Sequence, residues 1–337
     1  MGHWVIFFAW CLCAAANPLY ASSLFEDHTI LELELTGPLS SLIDNKEDRE
    51  EQVFRLKNGT LELDIKVRAR GNSRMRVCDF PPLRFNFKKG DTAGTLFEGQ
   101  DKIKLVTRCK KADRYQADAL EEYVAYQIFS LLSDVSFRTR LVHLTYNDAD
   151  GSLPKAYRES YGFLIEPLGQ LVSRVGGGLS ELPAVSLRQL DKDQAALVYV
   201  YQYLIANTDW SFVAPEEGEN CCHNIELVKI GDTHFPVPFD FDLAGLVNAA
   251  YARPDASLRI SKVTKRLYRG FCTDNDTLRD ALQGVVSRED EIMDVVTSLP
   301  ILDEIAKKGR VEYLEKFFKK ARDGDKMIAM SEERCHP

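Results

Sequence analysis

The chain has 337 residues, of which 45% are hydrophobic and 28% are charged, and these are the proportions of an ordinary soluble globular protein. Its length accommodates two domains or one two-lobed unit. The net charge of −8 argues against general binding of nucleic acids or other polyanions, but it leaves local basic patches open.

The N-terminal segment is predicted to be a secretory signal peptide covering residues 1–21. Residues 4–16 are apolar and uncharged, yet they are fewer than the ~20 residues of a bilayer span. Leu19-Tyr20-Ala21, followed by two serines, is typical of a cleavage site. The segment lacks Lys and Arg, so an uncleaved membrane anchor is the alternative. No later segment is long and apolar enough to span a membrane, and we expect a periplasmic or secreted protein with no membrane span after signal cleavage.

Export changes the interpretation of the cysteines. Removing the leader takes Cys11 and Cys13 from the eight in the chain and leaves an even number, which favours disulfides in an oxidising compartment. Cys78 and Cys109 flank consecutive predicted strands, so we predict that they pair. Cys272 is then predicted to pair with Cys221 or Cys222. Zinc binding is the alternative, but no CxxC spacing supports it.

The first half of the mature chain is predicted to be rich in strands. Apolar and polar residues alternate in three segments, each with one apolar face, as in an antiparallel sheet that is buried on one side. The charged run at residues 44–52 is predicted to be a solvated turn or helix end. The predicted strands cover residues 29–35, 61–68, 83–88 and 102–106, and a helix follows at 115–132.

The second half is predicted to be mainly helical after two further strands. A buried helix at 195–206 leads directly into Asn207-Thr208-Asp209. The remaining predictions are strands at 139–146, 161–166, 225–228 and 235–239, and amphipathic helices at 277–286, 289–299 and 301–321.

Three polar segments of this half contain the residue types that phosphoryl transfer needs. Asp209 follows a buried helix, Asn224 follows a histidine, and Asp240 and Asp242 lie in a Phe-Asp-Phe-Asp segment. One carboxylate can orient the attacking hydroxyl, while an Asn and a second Asp hold Mg²⁺ on the phosphates. The order Asp, Asn, Asp is the order of kinase-like folds. Asp and Asn are also the commonest turn formers, so a structural role is the alternative.

The order of several segments resembles the spore-coat protein H (CotH-like) kinase family, within the wider protein-kinase-like fold. The resemblance covers residues 60–250, and a closer one is to uncharacterised exported bacterial proteins of that type. It implies a two-lobed α+β fold, with an antiparallel-sheet N-lobe containing one long helix over residues 22–166 and a mainly helical C-lobe over 167–337. The segments that carry it are Arg70-Gly71-Asn72-Ser73, residues 82–87, 102–106, 120–125 and 161–166, and those around Asp209, Asn224 and Asp240.

The resemblance also implies roles for the acidic segments. Asp209 would accept or orient the proton of the substrate hydroxyl. Asn224 and Asp240 would bind Mg²⁺ or Mn²⁺, with Asp242 as the alternative or second ligand. Asn224 lies further beyond Asp209 than the family pattern places it, across an insert at 213–222.

On the nucleotide side, Lys104 is implied to be the strand lysine that contacts phosphates. Its ion-pair partner would be Glu121 or Glu122 on the following helix. Lys102 has the same parity on the strand and is the alternative to Lys104.

Three further residues are implied to contact ATP. Arg70 and Ser73 lie in a basic hairpin that could hold phosphates through guanidinium and backbone N–H groups, and Arg68 shares a strand face with Arg70. A solvated basic edge is the alternative. Glu166 stands at the position of the hinge between the lobes.

The sequence therefore predicts an exported kinase-like protein that transfers phosphate or a nucleotide from ATP-Mg²⁺ to a protein or small-molecule acceptor, with no nucleic-acid partner. The chain lacks a glycine-rich phosphate loop, which leaves a catalytically silent pseudokinase or envelope binding protein as the alternative. A metal-dependent hydrolase of another fold is a third hypothesis, and it rests on the Asp cluster alone.

Overall fold

The computed structural model describes residues 24–182, 184–212 and 221–336, so the predicted signal peptide at 1–21 lies outside the described residues. Within these ranges the chain forms a closed seven-stranded barrel, a three-stranded sheet and nine α-helices.

The barrel strands are β1 (Leu31–Gly37), β2 (Gln52–Asn58), β3 (Leu61–Ala69), β4 (Leu83–Asn86), β5 (Lys102–Val106), β6 (Thr139–Asp148) and β7 (Glu159–Ile165). The smaller sheet contains β8 (Gly178–Leu179), β9 (Ile225–Ile230) and β10 (Thr233–Pro238). The helices are α1 (Leu39–Asp44), α2 (Ser73–Val77), α3 (Arg114–Leu132), α4 (Leu168–Arg174), α5 (Lys192–Leu204), α6 (Asn275–Ser287), α7 (Glu289–Thr297), α8 (Glu304–Ala321) and α9 (Gly324–Arg334).

The barrel closes through a parallel pairing of β1 with β6, which runs in register from Leu31↔Val142 to Gly37↔Asp148. The strand order is β1-β2-β3-β4-β5-β7-β6, and the other neighbours are antiparallel. The prediction of a two-lobed kinase-like fold with an antiparallel-sheet N-lobe is therefore wrong, because the strands close into a barrel that includes a parallel pair. Two features caused the error. No strand was predicted at Gln52–Asn58, which joins β1 to β3, and pairing between segments so distant in sequence leaves no local signal.

In β1 and β3 one face lines the barrel interior and the other is mostly exposed, which confirms the single buried face that alternation predicted for these strands. In β3 the side chains of Leu63, Ile65 and Val67 point inward and are buried, whereas the intervening residues point outward. Phe54 from β2 and Phe85 from β4 fill the same core. Large apolar side chains therefore close the interior of the barrel as a packed core.

A second apolar core lies between the barrel and the helices. Helix α3 contacts β6, β7 and α7, and α5 contacts α6 and β10. In β7, Leu164 faces the barrel core, while Phe163 and Ile165 face the helical core. The outer wall of the barrel therefore forms one side of the helical layer. The helices predicted in the last part of the chain are confirmed as α6, α7 and α8, whereas α9 was not predicted.

Three disulfides connect the six cysteines of the described chain. The predicted Cys78–Cys109 bridge is present, with a Cα–Cα distance of 4.7 Å. Pairing of Cys272 with Cys221 or Cys222 is wrong, because Cys221 and Cys222 bond to each other and Cys272 bonds to Cys335. The C-terminal segment runs beside residue 271 and places Cys335 next to Cys272. Such bridges are compatible with an oxidising, extracellular compartment.

Among the described residues, none of the helices has both the length and the apolar character that crossing a bilayer requires.

Candidate functional site

The candidate site lies where the small sheet meets the barrel and the end of α5. Asn224 directly precedes β9, and Asp240 comes two residues after β10. Because β9 and β10 pair antiparallel, these ends are neighbours, and the Phe239 backbone N–H donates to the Asn224 carbonyl at 3.1 Å. Asn224 and Asp240 both have left-handed backbone angles, with φ of 52° and 60°. Non-glycine residues in this region are strained, and such strain concentrates at functional sites.

Asp209 reaches the same place from the C-terminal end of α5. Asn224 Nδ2 donates to Asp209 Oδ2 at 2.9 Å and to the Asp209 backbone carbonyl at 2.8 Å. The His223 Nε2 atom lies 2.9 Å from Asp209 Oδ1. Asn207 Oδ1 accepts from the Asp209 N–H at 3.0 Å and fixes the turn. The two segments that were predicted to carry Asp209 and Asn224 are thus in direct contact.

The loop after Asp240 is tied to the end of α5 by backbone hydrogen bonds. The Gly245 N–H donates to the Ala206 carbonyl at 3.0 Å, and the Leu246 N–H donates to the Ile205 carbonyl at 2.9 Å. A Cβ at Gly245 would lie 2.5 Å from the Val263 carbonyl oxygen and 2.8 Å from Ala206 Cβ, so only glycine fits. The glycine that ends the Phe-Asp-Phe-Asp-Leu-Ala-Gly run therefore allows the two acidic loops to approach.

The Asp209 carboxylate changes the protonation of its neighbour. Its hydrogen bond raises the pKa of the His223 ring above the ordinary value of 6.5, although partial burial acts in the opposite direction. Both side chains are part-exposed, 35% for Asp209 and 41% for His223, so solvent can reach them. Arg269 donates to the Thr208 carbonyl and adds positive charge beside Asp209.

Arg74 of α2 lies at the centre of a buried acidic cluster. Its Nη2 atom lies 2.6 Å from Glu122 Oε2 and 3.5 Å from Asp240 Oδ1, and its Nε atom lies 2.9 Å from Asp242 Oδ2. The Tyr251 hydroxyl also donates to Asp242 Oδ2 at 2.9 Å. Burial raises the pKa of Glu122 to about 8 and that of Asp242 above its usual value, while Arg74 lowers both. One guanidinium therefore neutralises the inner wall of the site.

Sequence reasoning missed the role of Arg74. The segment was predicted to be a basic hairpin, because a five-residue helix is too short to show apolar periodicity. The sequence did contain an indication of this role. Several arginines lie close to Gly71, and three acids elsewhere in the chain needed a counter-charge.

Lys104 and Arg70 bring further positive charge near Asp240. Lys104 Nζ lies 5.3 Å from the centroid of the Phe239 ring, within reach of a cation–π contact. Burial and the nearby Arg70 lower the pKa of Lys104, and Glu226 and Asp240 counteract them. Burial likewise lowers the pKa of Arg70, and Asp240 opposes the shift. Two cations with partly uncompensated charge thus face one half-exposed carboxylate.

The predicted ion pair between Lys104 and Glu121 or Glu122 is wrong. In the described chain, Glu122 pairs with Arg74, and Glu121 pairs with Arg310 at 2.8 Å. The physical reason is position. Lys104 points outward from β5 toward the small sheet, whereas α3 directs both glutamates into the interior, where arginines from α2 and α8 reach them.

The structure gives the other two predicted nucleotide contacts, Glu166 and Ser73, different surroundings. Glu166 is buried and accepts from Arg174 at 3.0 and 2.8 Å and from the Arg138 N–H at 3.1 Å, so the fold uses its carboxylate. Ser73 is the exposed first residue of α2, one position before Arg74.

The available oxygens near Asn224 suit a hard cation. Asn224 uses its amide nitrogen for Asp209, and within the described residues its Oδ1 atom has no hydrogen-bond partner. The Asp240 side chain is 48% exposed. No three His, Cys, Asp or Glu side chains of the described chain converge as in an all-protein metal cage. Mg²⁺ is typically held by one or two carboxylates together with water and substrate phosphates, so a two-ligand site fits that ion.

Comparison with protein-family models and with curated proteins finds no match for this chain.

Proposed function

We propose that the protein is an exported phosphotransferase that moves phosphate, or a nucleotide, from ATP to a hydroxyl group of a protein or small-molecule acceptor. The chemistry is that of the CotH-like kinases that its segments resemble. The proposal is carried by one observation: Asp209, Asn224 and Asp240 meet at one part-exposed place, with Lys104 and Arg70 beside Asp240. The three disulfides support a periplasmic or secreted location.

Asp209 is assigned to orient the acceptor hydroxyl and to take its proton as the oxygen–phosphorus bond forms. His223 and Asn224 hold one carboxylate oxygen each, which fixes the direction of the remaining lone pairs. Lys104 and Arg70 are assigned to the phosphates of the donor, where their positive charge balances the charge on the transferred group and on the leaving group, which is ADP when phosphate moves and pyrophosphate when a nucleotide moves.

Asn224 and Asp240 are the residues that would hold Mg²⁺ or Mn²⁺. The ion would neutralise phosphate charge when bound. Asp242 is left out of this set, because it is buried and bound to Arg74 and Tyr251. Glu121 and Glu166 are likewise assigned to the fold.

The test measures nucleotide binding and turnover separately. Calorimetric titration with ATP, with and without MgCl₂, gives the first, and release of ADP or pyrophosphate in the presence of hydroxyl-bearing acceptors gives the second. We expect Asp240→Asn to weaken Mg²⁺-dependent ATP binding about tenfold or more, since a hard ligand is lost. Asp209→Asn is expected to keep binding and to lower turnover by about 10²-fold or more.

Asp232→Asn is the matched control, because Asp232 is an exposed acid in the turn between β9 and β10. Circular dichroism establishes that each variant is folded. Equal ATP binding and turnover in the protein, Asp240→Asn and Asp209→Asn would refute the proposal.

A catalytically silent nucleotide-binding protein is the second candidate. The observation that favours it is Arg74, which already neutralises Asp242 and approaches Asp240. This candidate predicts ATP binding that depends on Asp240 with no ADP release above that of Asp209→Asn. Turnover that Asp209→Asn abolishes would exclude it.

A further inference from the structure

The outer face of the barrel carries a basic stripe, which we define as Lys66, Arg68, Arg84, Lys102 and Lys104. These side chains occupy alternate positions on β3, β4 and β5, and the residues between them are buried in the barrel core. Arg68 is the direct partner of Arg84, and Arg84 is the direct partner of Lys104. The next row runs from Lys66 through Asn86 to Lys102. Three adjacent strands therefore present two rows of cations on one face.

Among the described residues, acids other than Glu51 balance the basic stripe only at its ends, where Asp64 lies two residues before Lys66 on the same face of β3 and Glu226 and Asp240 lie near Lys104. Within the described chain, the only ion pair of the basic stripe closer than 4 Å joins Arg84 to Glu51, at 2.8 Å. Glu51 also accepts two hydrogen bonds from Asn86. Burial and the neighbouring Arg84 lower the pKa of Arg68. Like charges directly opposite each other in a sheet are destabilising. A row of cations is also unexpected in a chain whose net charge is −8.

The basic stripe leads to the candidate site. Lys104 pairs with Ile165 on the next strand, and Ile165 belongs to the helical core, so this end of the stripe lies at the seam with the helices. Arg70 continues the stripe two residues beyond Arg68 and lies near Asp240. The other end is open, since Lys66 and Lys102 are exposed. From Arg70 to Lys66 the extended chain spans about 13 Å, at ~3.3 Å per residue.

We propose that the basic stripe, apart from Lys104 at its inner end, which is assigned to the donor phosphates, binds an acidic polypeptide segment in extended conformation and presents its hydroxyl to Asp209. This inference rests on the proposed function and names the acceptor class. Same-face side chains of an extended peptide recur every ~6.6 Å, which is the spacing of Lys66 and Arg68 along β3. Acidic side chains at alternate positions of the acceptor would therefore meet successive cations.

Single-stranded nucleic acid fits this surface less well. Its binding relies on aromatic side chains that stack on the bases, and the outward positions of β3, β4 and β5 hold none.

The test is fluorescence anisotropy of a labelled peptide in which Glu and Ser alternate. The probe is titrated with the full exported protein, and the Gln–Ser peptide is the uncharged comparison. We expect the Glu–Ser peptide to bind at least tenfold more tightly than the Gln–Ser peptide. The double substitution Lys66→Gln/Lys102→Gln is expected to weaken Glu–Ser binding about tenfold and to reduce its salt dependence. The control is Lys319→Gln/Lys320→Gln, which removes the same charge from the exposed face of α8 and should leave binding unchanged.

Two outcomes would overturn the inference. The first is equal peptide affinity in both double variants, and the second is tighter binding of a single-stranded oligonucleotide than of the Glu–Ser peptide. Measuring ADP release by the protein and by Asp209→Asn tests the proposed function, whereas measuring peptide binding tests this inference. If the peptide binds through the basic stripe but no ADP is released, only the proposed phosphotransfer is refuted. If turnover depends on Asp209 but peptide binding does not depend on the basic stripe, only the inference of an acidic acceptor is refuted.

Discussion

The His223 ring and the Asp209 carboxylate form a 2.9 Å hydrogen bond at the edge of the candidate site. A protonated His223 draws charge from Asp209 and makes it a poorer proton acceptor. Because this contact raises the pKa of His223 above 6.5, we expect turnover to increase as pH rises through a midpoint above that value. A pH profile of ADP release measures it. His223→Gln keeps an N–H donor without a titrating charge, so this limb of the profile should disappear.

His143→Gln is the control for this pH profile, because His143 makes a comparable contact with Glu32 on β1 of the barrel. A pH limb that survives in His223→Gln, or that disappears in His143→Gln, would contradict the assignment. The His223–Asp209 pair also affects stability. Since the folded pKa is the higher one, its stabilising contribution is complete below about pH 6.5 and is lost as pH rises through the folded value.

At the scale of elements, the prediction succeeded where one periodicity dominated. In β1 and β3, apolar and polar residues alternate without interruption, and both strands appear in the structure. It failed at β2, where the adjacent apolar residues Val53 and Phe54 interrupt the alternation, and where the charged run predicted as a turn or helix end ends at residue 52, so no strand was assigned beyond it. The closing pair β1–β6 also could not be predicted, because alternation shows which face is buried and not which strand is the neighbour.

Helix α2 shows why part of the site could not be predicted. It is five residues long, and its position depends on contacts with distant elements rather than on local propensity. Arg74 anchors it to Glu122 on α3 and to Asp242 after β10. The Cys78 N–H, at the end of the helix, donates to the Arg74 carbonyl, and Cys78 is itself bridged to Cys109.

Arg74→Met tests this anchoring. At about pH 8 the substitution leaves two buried carboxyls without their counter-charge, and we expect a loss of about 3–5 kcal/mol in the free energy of unfolding there. Burial raises the pKa of Glu122 and Asp242, and Arg74 lowers both, so its removal raises them further. The variant should therefore become more stable as pH falls, because neutral acids tolerate burial. Urea unfolding at about pH 8 and about pH 5.5 measures both effects.

Arg76→Met is the matched control on the same helix, since Arg76 is exposed and the described chain contains no ion pair for it. It should change the free energy of unfolding by less than about 0.5 kcal/mol. Equal losses in the two variants would show that the helix is sensitive to any substitution and that the acidic cluster plays no special part.

At the scale of the whole molecule, the order of polar segments predicted which segments lie close together better than it predicted the fold. Asp209, Asn224 and Asp240 come from the end of a helix and from the ends of two paired strands, and each lies next to an apolar run that could be recognised. Their contact follows from those elements whatever the architecture of the N-terminal half. The sequence predicted only part of the basic stripe. Alternation places Arg68 and Arg70 on one face, but Arg84 and Lys104 join that row only through the strand register.

The disulfide between Cys272 and Cys335 constrains the helical layer as a unit. It joins residues 63 positions apart and encloses α6 to α9. Restricting the unfolded chain over such a loop corresponds to about 4 kcal/mol in the chain-entropy treatment, of which about 2–4 kcal/mol is typically realised. We therefore expect Cys272→Ser/Cys335→Ser to lower the free energy of unfolding by about 2–4 kcal/mol in urea titrations. Cys221→Ser/Cys222→Ser is the matched control, because a bridge between adjacent residues closes no loop, and its removal should leave that free energy nearly unchanged. If both double variants lose the same stability, the restriction of the unfolded chain by the 63-residue separation does not explain how the helical layer is held.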